Sequence, residues 1–73
     1  MQKKKSRDIE KVYPKKDFIK KLRRLADALE ADKKFNIQVA GERLNIPKDA
    51  IVNIEHERIK EGEELEFQIK WKK

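Results

Sequence analysis

Cysteine is absent from these 73 residues, which removes disulfides, thiolate metal sites and thiol nucleophiles together and leaves an intracellular, cytoplasmic setting as the expectation. Two glycines and one histidine leave no Gly-rich phosphate loop and no second imidazole to join His56 as a metal ligand. No apolar run approaches the roughly 18 to 20 residues of a membrane span. The basic start "MQKKKSR" leads into acidic and polar residues, not a signal-peptide core. The expectation is a soluble protein with no membrane partner, and the length has room for one domain.

What the chain does have is charge. Charged residues make up 47% of it, against roughly 25% in an ordinary soluble domain, and the Lys/Glu bias resembles a heat-adapted composition. The excess of base is placed unevenly. Residues 1–24 hold 11 Lys/Arg against 3 Asp/Glu, or +8, and residues 25–73 hold 9 against 11, or −2. The net +6 therefore belongs to the N-terminal third, and a segregated positive field favours anionic partners.

Along the chain, residues 1–5 have nothing to bury and read as a flexible basic arm ahead of a single domain at 6–73. In "SRDIEKVY" Ile9, Lys11 and Tyr13 alternate with charged neighbours, which predicts a first strand. "PKKDFIKKLRRLADALEADKK" places Phe18, Leu22, Leu25, Ala26 and Leu29 on one stripe of an amphipathic helix, with Ile19 on its flank. Pro14 suits the first helical position or the cap before it. After Lys34 the period becomes two. "FNIQV" and "RLNIP" read as a hairpin about Gly41, with Phe35, Ile37 and Val39 on one face and Leu44 and Ile46 answering them. "AIVNIEHERI" and "LEFQIKW" read as two more strands about Gly62, with Val52 and Ile54 inward and Leu65, Phe67, Ile69 and Trp71 on a single parity. Trp71 is then expected to cover one end of the core and hold the last strand down. The fold class is α+β: one amphipathic helix packed on a mostly antiparallel four- or five-stranded sheet, in the order β-α-β-β-β-β.

From Tyr13 to Trp71 the pattern resembles the amphi-Trp domain, a short archaeal and bacterial domain. The likeness rests on "LRRLADALEA", the following "IQVAGE", the Glu-rich "EGEELEF" and the terminal "KW". The resemblance implies the domain boundaries and brings no site residue, since the family has no established activity. Its members are often acidic, so a partner inferred from the basic N-terminal third is particular to this chain.

Catalysis needs convergent groups, and few are available. His56 follows the parity of Val52 and Ile54 and reads as an edge-of-core histidine. Glu61, Glu63, Glu64 and Glu66 lack the ligand spacing of a calcium loop and read as a solvated turn. No enzyme, metal or cofactor is expected. Two features depart from what folding alone selects. On the helical wheel Lys16, Lys20, Arg23 and Arg24 gather opposite the apolar stripe, and Lys15 and Lys16 stand at the helix N-terminus, where the macrodipole favours anions. Together with Lys3, Lys4 and Lys5 they suggest a surface that follows a phosphate backbone, DNA or RNA, with little sequence preference. The bland alternative is a solvated basic face. Asn36, Gln38, Asn45, Asn53 and Gln68 share outward strand parity beside Arg43 and Lys70. No aromatic residue joins them, which argues against a single-strand reader. The second reading is a protein-interaction module using that open sheet face or an edge strand, and a homodimer through sheet extension is a further option.

Overall fold

The computed structural model describes residues 7–72. The chain is of the α+β class, with elements in the order α1 (Lys15–Glu30), β1 (Phe35–Val39), β2 (Glu42–Ile46), β3 (Ile51–Ile59) and β4 (Gly62–Lys70). Pro14 is the N-cap of α1, and its carbonyl accepts from the Asp17 and Phe18 amides at 3.0 Å. The helix ends in a Schellman arrangement: the Lys33 amide donates to the Ala28 carbonyl at 2.9 Å and the Asp32 amide to the Leu29 carbonyl at 3.1 Å. Asp32 takes φ 57 there, the left-handed position that glycine occupies at least cost.

The two hairpins form as the alternation predicts. β1 and β2 pair antiparallel from Phe35↔Ile46 to Val39↔Glu42, and β3 and β4 from Ile51↔Lys70 to Ile59↔Gly62. Ala40 and Gly41, at φ 48 and φ 85, make the two-residue turn of the first hairpin. Both central residues are left-handed, as a turn that matches strand twist requires.

Three expectations are corrected. No strand forms over residues 7–14. Arg7 donates instead to the Val39 carbonyl at 2.7 Å and pairs with Glu42, Val12 faces solvent, and Pro14 has no amide to give a ladder. The strands do not merge: β1–β2 and β3–β4 are separate two-stranded sheets, and no Cα of β3 or β4 lies within 8 Å of one in α1, β1 or β2. The helix also does not bury its apolar stripe. Phe18, Leu22 and Leu29 are exposed, while Lys21, Leu25 and Ala28 are the better covered positions. That face is rotated from the stripe by about 80° at 100° per residue.

The core among the described residues is one cross-strand pair, Phe35 and Ile46, at 6% and 7% exposure. The inward row of β4 is only partly covered: Leu65 and Phe67 are exposed, and Ile69 and Trp71 are half-buried. Trp71 follows the end of β4 and lines a cleft with Glu42–Asn45, where the second hairpin approaches β2.

Replacing Asp32 by glycine removes the strain of a left-handed aspartate and, with it, only an exposed 3.8 Å pair to Lys48. Asp32→Gly is expected to raise stability by about 0.5 to 1 kcal/mol in urea unfolding.

Candidate nucleic-acid interface

Of the eight cations singled out from sequence, Lys3, Lys4 and Lys5 lie outside the described residues. The other five, Lys15, Lys16, Lys20, Arg23 and Arg24, are exposed on α1. Every ion pair among the described residues lies elsewhere, at Arg7–Glu42, Lys48–Asp32, His56–Glu63 and Arg58–Glu63. Lys16, Lys20 and Arg23 thus present positive charge to solvent without an acidic partner among those residues.

Arg24 has a different role. Its Nη2 donates to the Asn36 carbonyl oxygen at 2.8 Å, and its guanidinium lies 5.0 Å from the centroid of the buried Phe35 ring. This hydrogen bond and cation–π contact fasten the helix to β1. Tyr13 engages a second cation: Lys21 Nζ sits 5.0 Å from its ring centroid.

Between helix and hairpin the cations continue into a cleft of about 390 Å³ lined by Lys21, Arg24, Asn36, Ile37, Gln38 and Arg43. Lys21 was not singled out from sequence, and Arg43 was named only as a neighbour of the strand amides. Lys21 stands three positions before Arg24 on the same helix face, and Arg43 faces Gln38 across the first hairpin. Seeing them as one group required the helix rotation, which the apolar stripe misassigns. The cleft offers cationic groups for a phosphate and amides for a polar edge.

The second hairpin carries the opposite sign. Its register sets Glu55 against Glu66 and Glu57 against Glu64 on one face, an arrangement of directly opposed like charges that weakens a sheet. The Glu64 carboxyl is held above its ordinary range, first by a hydrogen bond with Glu66 and by the Glu66 charge, then by desolvation and the charges of Glu57 and Glu10. On the other face Glu63 binds His56 Nε2 at 2.8 Å and Arg58 Nε at 3.4 Å. The four glutamates of the expected turn cluster do not converge, since Glu63 and Glu64 point to opposite faces of β4. On the face of Glu55 and Glu66, Asn53 Nδ2 donates to Gln68 Oε1 at 2.7 Å, and Gln68 Nε2 donates to Glu66 Oε1 at 2.8 Å, so these amides are engaged within the hairpin.

No protein family, curated protein or solved structure matches the chain. No helix among the described residues is long and apolar enough to cross a membrane.

Two consequences are measurable. Arg24→Ala is expected to cost about 1 kcal/mol or more, because it uncovers Phe35 and leaves the Asn36 carbonyl without this donor. Arg23→Ala should stay within about 0.5 kcal/mol, and thermal unfolding of the two variants compares them. For Glu64 the folded-state pKa lies above the unfolded one, so the folded chain binds the proton more readily. Its contribution favours folding below the unfolded value and is lost as pH rises through the folded one. Glu64→Gln is therefore expected to be more stable than the parent at neutral pH and to lose that advantage in the acid carboxylate range, read by urea midpoints at each pH.

Proposed function

We propose that this chain is a small non-enzymatic binding module that holds the phosphate backbone of DNA or RNA with little sequence preference, working in the cytoplasm. The observation that carries the reading is the set of exposed helix cations without acidic partners among the described residues, Lys15, Lys16, Lys20 and Arg23, running into the cleft of Lys21, Arg24 and Arg43. Lys16 and Lys20 are like-charged i, i+4 neighbours, which costs helix stability by a few tenths of a kcal/mol per pair. Lys15 and Lys16 oppose the helix macrodipole. A polyanion relieves both penalties. Lys3, Lys4 and Lys5, outside the described residues, add three cations to the same N-terminal third of the sequence. The carboxylates of Glu55, Glu57, Glu64 and Glu66 repel a polyanion, so contact is confined to the helix side of the molecule.

The second reading, a protein-interaction module, is favoured by a separate observation: the apolar row of the second hairpin is exposed. The two readings use different residues. Replacing Lys16, Lys20 and Arg23 with glutamine is expected to lower affinity for duplex DNA and for single-stranded RNA. It should also flatten the dependence of log K on log salt by about one unit for each phosphate that is no longer neutralised. Amide-shift titrations at low and moderate salt check this. Unchanged affinity and slope in the triple variant would remove the helix face from the interface, whereas protein association should be unaffected by it.

A further inference from the structure

We propose that the apolar face of the β3–β4 hairpin is a homodimer interface, covered by the same face of a second copy of this chain. The face is built from the cross-strand pairs Val52↔Ile69 and Ile54↔Phe67, with Leu65 opposite His56. Its members are largely uncovered, with Val52 at 54%, Ile54 at 63%, Leu65 at 63% and Phe67 at 64% exposure. Leu25 and Leu29 of the helix face it across an open groove of about 500 Å³ that Val52, Ile54, Phe67 and Ile69 also line, together with the intervening Asn53 and Gln68. Strict alternation along two strands and a helix stripe aimed at the same space are the pattern of a core. Here that core has only one wall.

The surface area supports this. The chain exposes 7184 Å², whereas a folded monomer of this mass exposes roughly 4,800 Å² by the size scaling of monomeric proteins. Allowing the seven residues outside 7–72 the full area of an extended chain still leaves an excess of roughly 1,500 Å². Standard protein–protein interfaces bury about 800 Å² per partner, and obligate dimers about 1,000 Å² or more. The radius of gyration, 14.2 Å, likewise exceeds the roughly 11 Å of a compact domain of this length. The uncovered surface is of the size that an obligate partner removes.

Three arguments make that partner a second copy. A chain whose folded form leaves this apolar face uncovered needs a partner present whenever it is synthesised, and its own copy meets that condition. The face carries an exposed ring, Phe67, at the edge of the groove that Leu25 and Leu29 also line, so a two-fold axis can set each copy's ring against the other's groove. Its charged end is neutralised internally, because Glu63 lies between His56 and Arg58, and does not repel its own image. The opposite face, with Glu55, Glu57, Glu64 and Glu66, does repel it. The cations Lys16, Lys20 and Arg23 lie on the far side of the helix from Leu25 and Leu29 and stay free in the dimer. The inference thus stands whether or not the chain binds nucleic acid.

The test is sedimentation equilibrium of the full wild-type chain over a wide concentration range, together with thermal unfolding at each concentration. A mass of twice 8.8 kDa and a midpoint that rises with concentration are expected. A mass of 8.8 kDa throughout, with a constant midpoint, overturns the proposal and leaves the face to a different protein or to closure by the helix. Mixed isotope-labelled and unlabelled chains then locate the contact. Intermolecular NOEs from the Phe67 ring to methyl groups of Val52, Ile54 or Ile69 are expected, and a dimer with its NOEs elsewhere, such as along a strand edge, overturns the assignment. Phe67→Ala is expected to weaken the dimer about thirty-fold or more, as a central interface aromatic does. A variant that dimerises as tightly as the parent sinks the proposal, and if it does not fold, the wild-type NOEs decide.

Discussion

The arrangement of this molecule depends on the Phe35–Ile46 pair beneath the Arg24 guanidinium. It is the one buried apolar contact among the described residues. The hydrogen bond from Arg24 to the Asn36 carbonyl fixes how the helix is rolled over it. With Arg24 turned to β1, Lys21, Leu25 and Ala28 follow, and the apolar stripe of Phe18, Leu22 and Leu29 is carried away from the first hairpin. A cation over an aromatic ring thus decides where the hydrophobic face of the helix points. The open groove and the uncovered second hairpin are consequences of that roll. So is the cationic cleft, because the same rotation brings Lys21 toward Asn36, Gln38 and Arg43.

The electrostatics divide the chain in a second way. Cations occupy one side of the helix without acidic partners among the described residues, and the outer face of the second hairpin opposes Glu55 to Glu66 and Glu57 to Glu64. Each set weakens the element that bears it, by helix like-charge pairs in one case and cross-strand repulsion in the other. The Glu64 carboxyl pKa is raised chiefly by Glu66, its neighbour on the same strand and face, with the cross-strand Glu57 a smaller contributor. Mixing the two signs within each element would relieve both. Their segregation makes a polarised surface instead, with positive potential on the helix side and negative on the outer face of the second hairpin.

The helix, both hairpins and the parity of their faces were legible because each rests on local information: a 3.6-residue stripe, period-two alternation, and turn signals near Gly41 and Gly62, although the second turn is Lys60 and Glu61 and Gly62 opens β4. The α+β class followed from their order. What was not legible depends on contacts between elements. The alternation in "SRDIEKVY" does not reveal that Arg7 spends its hydrogen bonds on the Val39 carbonyl and Glu42. Parity assigns Leu65, Phe67, Ile69 and Trp71 to one face but cannot say whether anything covers that face. For the interface, the helix cations were visible as a wheel pattern, whereas assigning Arg24 to packing and adding Lys21 and Arg43 needed the helix roll. The opposed glutamates were available in principle: counting outward from the turn before Gly62 pairs Glu57 with Glu64.

The lone indole connects these threads. Trp71 stands where the second hairpin approaches β2, half-buried beside Arg43, Leu44 and Asn45. With no strand pairing between the two sheets, an aromatic side chain at that approach is a means of keeping the hairpins in register with one another. The groove between the apolar face of β3–β4 and Leu25 and Leu29 of α1 stays open beyond it. In a dimer formed through the second hairpin, that coupling sets the spacing of two basic helix faces. On the proposed reading, binding of one face to a phosphate backbone would raise the effective concentration of the other, so that modest contacts on each copy would multiply along the strand.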